Sequence, residues 1–289
     1  MQNESFYRGR IAPTPSGWLH AGHAKTFFEA WRRARSKKGS LVLRMEDIDR
    51  ERCRNEFEGA ILEDLEWLGI DWDEGINPGG PYSPYRQSER MGYYRSIWQS
   101  LAEDGLIYPC SYSRRELSLM GLDRESDGSW KIPPSKRESA FARGDAMDEE
   151  VNWRFKVPEG LKITFEDGVQ GVQHFVAGED FGDFLVWRKT GEPSYELAVV
   201  VDDIAMEITE VVRGEDLLLS TARQILLYQA LGKEPPSFRH LPLVYDEKGN
   251  RLSKSERSLA VREMRASGMT QKEVLEWQPS GQRSHSERS

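Results

Sequence analysis

Two histidines lie three residues apart, between the first predicted strand and the helix that follows it. His20 and His23 belong to residues 16–23, a stretch opening the first predicted helix. Backbone N–H groups and the positive end of a helix dipole favour phosphate at such a junction, and Gly22 allows close approach to the backbone. Two imidazoles facing the same way could donate to a reacting phosphate. We predict phosphate chemistry here; a metal-binding pair and a structural pair are the alternatives.

Three carboxylates follow the second predicted strand, at Glu46, Asp47 and Asp49. In open α/β folds, ligands bind at the carboxyl edge of the parallel sheet. Carboxylates at this edge could hold an ammonium group, a ribose or Mg²⁺. The alternative is a charged loop that only caps the following helix.

Two arginines and a tyrosine could recognise an acidic substrate. Arg10 lies on the first predicted strand, and Arg213 ends a later one. Two guanidinium groups reaching one pocket would bind both oxygens of a carboxylate, whereas either alone is more often a surface ion pair. Tyr195 could supply a neutral hydroxyl, although packing is the commoner role of a single aromatic residue.

A lysine flanked by hydroxyl groups is the last candidate. Lys254 follows a predicted hairpin that turns at residues 248–250. On a loop, its ammonium group could follow negative charge moving along a triphosphate and so stabilise the transition state. The signal is weak without His20 and His23. We therefore expect folding to place Lys254 opposite the two histidines, around one triphosphate.

Alternating strands and helices must position these groups. Apolar periodicity predicts the order strand, helix, strand, helix, helix at residues 7–13, 24–38, 41–45, 56–68 and 88–103. Gly39 is expected to end the first helix in the usual position. This alternation indicates an α/β fold with a parallel sheet.

The apolar periodicity of the sequence changes after residue 108. Ser113 and Glu116 predict a capping box, and residues 121–150 have no periodicity. Short strands are predicted at residues 151–157, 161–165, 172–176 and 183–188. A second α/β portion begins at the apolar run 197–201 and includes a strand at 206–212 and a helix at about 220–231. We predict a catalytic domain in two halves, 1–108 and 191–277, an insertion at 109–190 and a disordered tail at 278–289.

Composition excludes several classes of protein. The 289 residues include 40 basic and 48 acidic side chains, a net charge of −8, 38% hydrophobic residues and two cysteines. These values argue against a disulfide-rich secreted protein, a Cys-rich zinc module and a protein that only coats nucleic acid. The sequence has no apolar run of the length that a membrane span requires. We predict a soluble cytoplasmic protein, by default a monomer.

The candidate residues together resemble the signatures of class I aminoacyl-tRNA synthetases. Residues 20–23 are similar to the HIGH signature of that family, and residues 251–255 to its KMSKS signature. Further stretches resemble its glutamyl branch in order and spacing, at residues 10–25, 43–52, 194–218, 220–232 and 240–255. The resemblance implies a Rossmann-like parallel-sheet catalytic domain, split by a mixed α+β insertion. The chain length adds the expectation that no anticodon-binding domain is present.

The resemblance also implies roles for individual residues. A glutamate pocket is implied at Arg10, Ile11, Ala12, Pro13, Thr14, Glu46, Tyr195 and Arg213. An ATP site is implied at His20, Gly22, His23, Arg251, Ser253 and Lys254, and of these His20, His23 and Lys254 are the catalytic residues. ATP is expected to bring Mg²⁺ with it.

Two features indicate a particular branch of the family. The chain length and the sequence at residues 46–49 resemble short paralogues that transfer glutamate to queuosine at the wobble position of tRNA(Asp). Many family members bind zinc in the insertion, but here Tyr112 stands where a second cysteine would follow Cys110. No later cysteine exists, so we expect no zinc and an insertion held by packing.

Three other functions stay open. The first is a glutamyl-tRNA synthetase that charges the terminal ribose of tRNA(Glu). The second is another nucleotidyltransferase with an HxGH element. The third is a tRNA-binding or regulatory relic with an inactive site, against which the presence of His20, His23 and Lys254 argues.

Overall fold

The computed structural model describes residues 6–137, 151–243 and 260–277. Within these ranges the chain divides into two compact units. Unit 1 combines the described parts of 1–88, 210–215 and 239–289, and unit 2 combines those of 89–209 and 216–238. These limits differ from 108 and 190, and the functional domain boundaries at those positions stay a prediction.

A parallel sheet forms the centre of unit 1. Strand β1 (Arg8–Ile11) pairs with β2 (Ser40–Leu43), and β2 pairs with β3 (Glu74–Gly75). The strands β1 and β2 are buried almost throughout, as is typical of a parallel sheet covered on its faces. The predicted fold class is confirmed.

Helices connect these strands and cover the sheet. Helix α1 (Ala21–Ser36) follows β1, and α2 (Asn55–Trp67) follows β2. The buried residues of α1 are all alanines, which let the helix approach the sheet closely. The described parts of unit 1 also contain β10 (Glu210–Gly214) and two short helices, α7 (Val261–Ala266) and α8 (Gln271–Glu276).

The end of α1 differs from the prediction. The helix ends at Ser36, and Lys38, not Gly39, adopts the left-handed conformation, with φ 51°. A Cβ atom on Gly39 would lie 2.4 Å from the carbonyl oxygen of Tyr7. Gly39 is therefore needed for a close approach of two backbones, because any side chain would collide with Tyr7, which directly precedes β1.

An antiparallel sheet organises unit 2. It contains β4 (Ile107–Cys110), β5 (Asn152–Phe155), β8 (Leu185–Arg188) and β9 (Glu192–Pro193), in that order. A hairpin of β6 (Lys162–Asp167) and β7 (Gly171–Val176) belongs to the same unit. Strand β11 (Ser237–Leu241) runs parallel to β6, where Phe238 faces Asp167. The four short strands predicted between residues 151 and 188 are therefore confirmed.

Four α-helices lie in the described part of unit 2. They are α3 (Met91–Glu103), α4 (Arg114–Leu119), α5 (Tyr195–Ala205) and α6 (Leu218–Ala230). The predicted capping box of Ser113 and Glu116 is present at the start of α4. The apolar run 197–201 lies inside α5, which is buried on all sides along this stretch. Across the described residues, no helix is long and apolar enough to cross a membrane.

Candidate active site

The two predicted histidines lie together at the start of α1. Their rings stack with centroids 3.6 Å apart and planes inclined by 26°. His20 is the N-cap residue, and its Nδ1 accepts a hydrogen bond from the backbone N–H of His23 at 3.4 Å. Because a backbone N–H can only donate, the neutral His20 ring carries its hydrogen on Nε2. The helix start thus presents a ring N–H donor beside a second imidazole.

The electrostatics of this turn favour an anion. The first turn of α1 contains no acidic residue, so no side chain of the helix start neutralises the positive end of its dipole. Both histidine side chains are partly exposed and accessible to a ligand. The geometry agrees with phosphate binding. A structural pair of histidines would require neither exposed rings nor a first helical turn without acidic residues.

The chain returns to this turn after residue 259. Ala260 forms an isolated antiparallel bridge with His20, and the N–H of Val261 donates to the carbonyl oxygen of Leu19 at 2.7 Å. All of Leu19, Ala260 and Val261 are buried. Sequence reasoning had no signal for this pairing, because it depends on a contact between segments distant in the chain.

Glu46 lies beside the loop that follows β1. Its N–H donates to the carbonyl oxygen of Pro13 at 2.9 Å. Its carboxylate accepts a hydrogen bond from Nη2 of Arg44 at 3.2 Å, and Arg44 is fully buried. These two hydrogen bonds hold the carboxyl group of Glu46 close to Pro13, where it could bind an ammonium group. Arg44 was missed because its position in an apolar strand-like run gave no sign of a polar role.

The two other carboxylates of this loop have local partners. Asp47 accepts hydrogen bonds from the N–H and the Oγ of Ser88, at 2.9 and 2.6 Å. Asp49 accepts one from Nε of Arg52 at 2.6 Å. Neither caps α2, whose N-cap residue is Arg54. Of the three, Glu46 has the setting best suited to a ligand.

Arg10 and Arg213 are brought near one another within unit 1. Nη1 of Arg10 donates to the carbonyl oxygen of Val212 at 3.3 Å, and Val212 directly precedes Arg213 on β10. Nε of Arg213 donates to Nε2 of His240 at 3.0 Å. Both arginines are 5% exposed and His240 is fully buried. His240 was not predicted, since a single histidine in a strand-like run is more often a core residue.

The remaining predicted residues fall into three groups. Ile11 and Pro13 are buried, whereas Ala12, Thr14 and Gly22 are partly exposed. Tyr195 is the first residue of α5 in unit 2, where Ser194 caps the helix. Arg251, Ser253 and Lys254 lie outside the described residues, so the placement of Lys254 opposite the histidines stays a prediction.

Cys110 lies in an apolar cluster of the predicted insertion. The cluster contains Tyr108, Tyr112, Leu117 and Ile132, all buried. Among the described residues, no three histidine, cysteine or acidic side chains come together as metal ligands. Tyr112, in the place of a second thiolate, packs with Cys110 in this cluster.

The sequence matches a known protein family over most of its length. Residues 7–276 match the family described as tRNA synthetases class I (E and Q), catalytic domain. The chain belongs to this family.

Individual relatives carry two different names. The chain is 42% identical to a glutamate–tRNA ligase 2 of Syntrophus aciditrophicus, covering 95% of this chain and 57% of that protein. It is 43% identical to a glutamyl-Q tRNA(Asp) synthetase of Nitratidesulfovibrio vulgaris, covering 91% and 82%. A crystal structure of a glutamate tRNA ligase from Elizabethkingia meningosepticum, in complex with its amino acid, superposes with a TM-score of 0.75 at 31% identity. That match covers 91% of this chain and 53% of the other, so the chain spans little more than half of the ligases it resembles.

Proposed function

We propose that this protein activates glutamate with ATP and transfers it to queuosine at the wobble position of tRNA(Asp). The stacked imidazoles of His20 and His23 at the positive end of α1 carry the proposal. In the same unit, Arg10 reaches the strand of Arg213. The site therefore combines donors for a triphosphate with two guanidinium groups for the carboxylates of an acidic amino acid.

The first step needs no general base. An oxygen of the glutamate α-carboxylate forms a bond to the α-phosphorus of ATP, the bond to the bridging oxygen breaks, and pyrophosphate leaves with the electron pair. The carboxylate is already a nucleophile, so the protein aligns the reactants and stabilises growing negative charge. His20 and His23 donate to phosphate oxygens, and Mg²⁺ enters with ATP.

Lys254 is the proposed partner of the histidines. Six positions separate it from Ala260, which pairs with His20. This short separation along the chain supports a role for Lys254 at the triphosphate.

Two observations support tRNA(Asp) as the acceptor. Residues 46–49 read Glu-Asp-Ile-Asp, a sequence that resembles the short paralogues of the family. Two relatives named glutamyl-Q tRNA(Asp) synthetase are 43% and 44% identical to this chain. In the second step, a hydroxyl of the modified base attacks the acyl carbon of glutamyl-adenylate, AMP leaves, and the hydroxyl proton goes to solvent or to the released phosphate.

A charging assay with labelled glutamate tests the proposal. We expect incorporation into queuosine-containing tRNA(Asp), and none into queuosine-free tRNA(Asp) or into tRNA(Glu). The variant His23→Ala should lower glutamate-dependent pyrophosphate exchange by roughly 10²–10³-fold, as for the loss of other charge-stabilising donors. Charging of tRNA(Glu) alone would instead show that this protein has the activity for which the relative at 42% identity is named, that of a glutamate–tRNA ligase. Pyrophosphate exchange that ignores glutamate would indicate another nucleotidyltransferase.

A further inference from the structure

Trp18 lies between two helices, two residues before His20. Its ring meets the ring of Phe57 on α2 edge-on, with centroids 4.8 Å apart. The guanidinium carbon of Arg262 on α7 lies 4.3 Å from the centroid of the Trp18 ring. The indole is therefore held by α2 through an aromatic contact and by α7 through a cation–π contact.

The backbone next to Trp18 is fixed by the same helix end. Val261, the first residue of α7, donates to the carbonyl oxygen of Leu19, and Ala260 pairs with His20. The start of α7 thus contacts three successive residues: Leu19 and His20 through the backbone, and Trp18 through its side chain. Among the described residues, Arg262 also acts on the buried carboxyl of Asp64 through its charge.

We propose that Trp18 and Arg262 are positioning residues, which hold the His20–His23 turn in the geometry that stacks the two imidazoles. The inference rests on the proposed function of the histidines. Phosphate oxygens must meet the ring N–H donors at hydrogen-bond distance in the transition state, so a loosely held turn would lower the rate. The glutamate pocket on Arg10 and Arg213 does not depend on this contact.

Steady-state pyrophosphate exchange tests the inference. We expect Trp18→Leu to lower kcat about tenfold and Arg262→Gln about two- to fivefold, from the ordinary strength of such contacts. The KM for glutamate should stay within twofold in both variants. Arg262→Lys should restore most of the rate, since an ammonium group also binds the face of an indole. A loss of glutamate affinity with unchanged kcat would overturn the proposal.

A second pair on the same helix provides a matched control. The guanidinium carbon of Arg265 lies 5.6 Å from the ring centroid of Trp67, away from the turn. Arg265→Gln should leave kcat unchanged. In a double-mutant cycle, Arg262→Gln should have no further effect in the Trp18→Leu background. Additive losses, or equal losses for Arg262→Gln and Arg265→Gln, would show that the helix stabilises the fold without positioning the turn.

Hydrogen exchange separates this inference from the proposed function. The amide of Val261 is protected by its bond to Leu19, and we expect its exchange to become faster in Trp18→Leu and Arg262→Gln but not in Arg265→Gln. Since both arginines are exposed, their variants should fold even if Trp18→Leu does not. Unchanged exchange at Val261 in Arg262→Gln would refute the positioning role. If the unmodified protein shows no glutamate-dependent pyrophosphate exchange, the proposed function alone is refuted.

Discussion

At the level of single residues, Asp64 is an acid placed in an unfavourable environment. Its side chain is 2% exposed, and Oδ2 has no hydrogen-bond partner among the described residues. Burial raises the pKa of Asp64 to about 6, although Arg262 and Arg265 act in the opposite direction. The folded protein therefore holds this proton more tightly than the unfolded chain does. The stability that protonated Asp64 contributes is complete below about pH 4 and is lost as the pH rises through about 6.

Replacing Asp64 by asparagine should stabilise the protein in a pH-dependent way. Removing the buried charge should raise the free energy of unfolding at pH 7.5 by about 1–3 kcal/mol, because the pKa differs by about two units between the two states. At pH 4 the change should be near zero. Urea unfolding at both pH values measures it, with the exposed Glu103→Gln as control. A stabilisation of equal size at both pH values would contradict the electrostatic cause.

His240 should control glutamate binding through Arg213. The fully buried ring accepts from Nε of Arg213, and a bond to a charged donor contributes about 1.5–3 kcal/mol. We expect His240→Phe to raise the KM for glutamate at least tenfold, while the KM for ATP changes little. His240→Gln, which keeps an acceptor, should recover part of the affinity. The exposed His174→Gln is the control, and an unchanged glutamate KM in His240→Phe would remove His240 from the site.

The residues of the site were predictable to different degrees. His20 and His23 lie at the start of a helix and Glu46 follows the end of a strand. Their side chains are of types that take part in catalysis or binding, so the local sequence is enough to find them. Arg44 and His240 act through contacts with other site residues, one of them across 27 positions of the chain. Such partners become visible only when the fold brings the segments together.

At the level of elements, Arg223 on α6 connects the start of α5 with a loop of the predicted insertion. The guanidinium binds the carboxylates of Glu125 and Asp127 and lies 3.5 Å from that of Glu196. Burial acts to raise the pKa of the Asp127 carboxyl, but the bonds from Arg223 and Ser129 outweigh it and lower that pKa. The loop at residues 124–130, which has no apolar periodicity, is thus held by charge as well as by packing.

Removing this guanidinium should destabilise unit 2 strongly. Arg223→Met would leave buried carboxylates without their counter-ion, which typically costs about 3–5 kcal/mol. We expect a loss of that size in the free energy of unfolding, and a smaller one for Arg223→Lys, whose ammonium group cannot reach all three carboxylates at once. Guanidinium chloride unfolding would be dominated by ionic screening, so urea is the denaturant of choice. Exposed Lys189→Met is the control, and a loss below about 1 kcal/mol would refute the role.

Helices and strands were easier to predict than the long-range contacts that join them. Apolar periodicity predicted α2 and α6 within about two residues at each end, because their buried stripes repeat at the helical period. It placed the start of α1 three residues late, since His20 caps the helix with its own side chain. The bridge between His20 and Ala260 and the ion pairs of Arg223 depend on long-range contacts, which no periodicity records.

At the level of the whole molecule, a net charge of −8 must be reconciled with the proposed tRNA partner. In the basic stretch at residues 32–38, the three guanidinium groups are already paired with carboxylates. Arg32 binds Glu29, Arg33 binds Glu210, and Arg35 binds Asp71 and Asp73. An RNA backbone would have to be bound by a few local basic groups, against a repulsive overall field.

This charge balance predicts that binding of the proposed tRNA depends steeply on salt, whereas the proposed activation of glutamate does not. Each phosphate neutralised contributes about −0.7 to −0.9 to the slope of log K against log salt concentration. With roughly four such contacts, we expect a slope near −3, measured by filter binding of the proposed tRNA(Asp) partner between about 50 and 200 mM KCl. Pyrophosphate exchange should change less than twofold over the same range, because the proposed triphosphate site on His20 and His23 lies within unit 1. A flat binding curve would mean that the protein recognises its RNA through base contacts and shape rather than through phosphates.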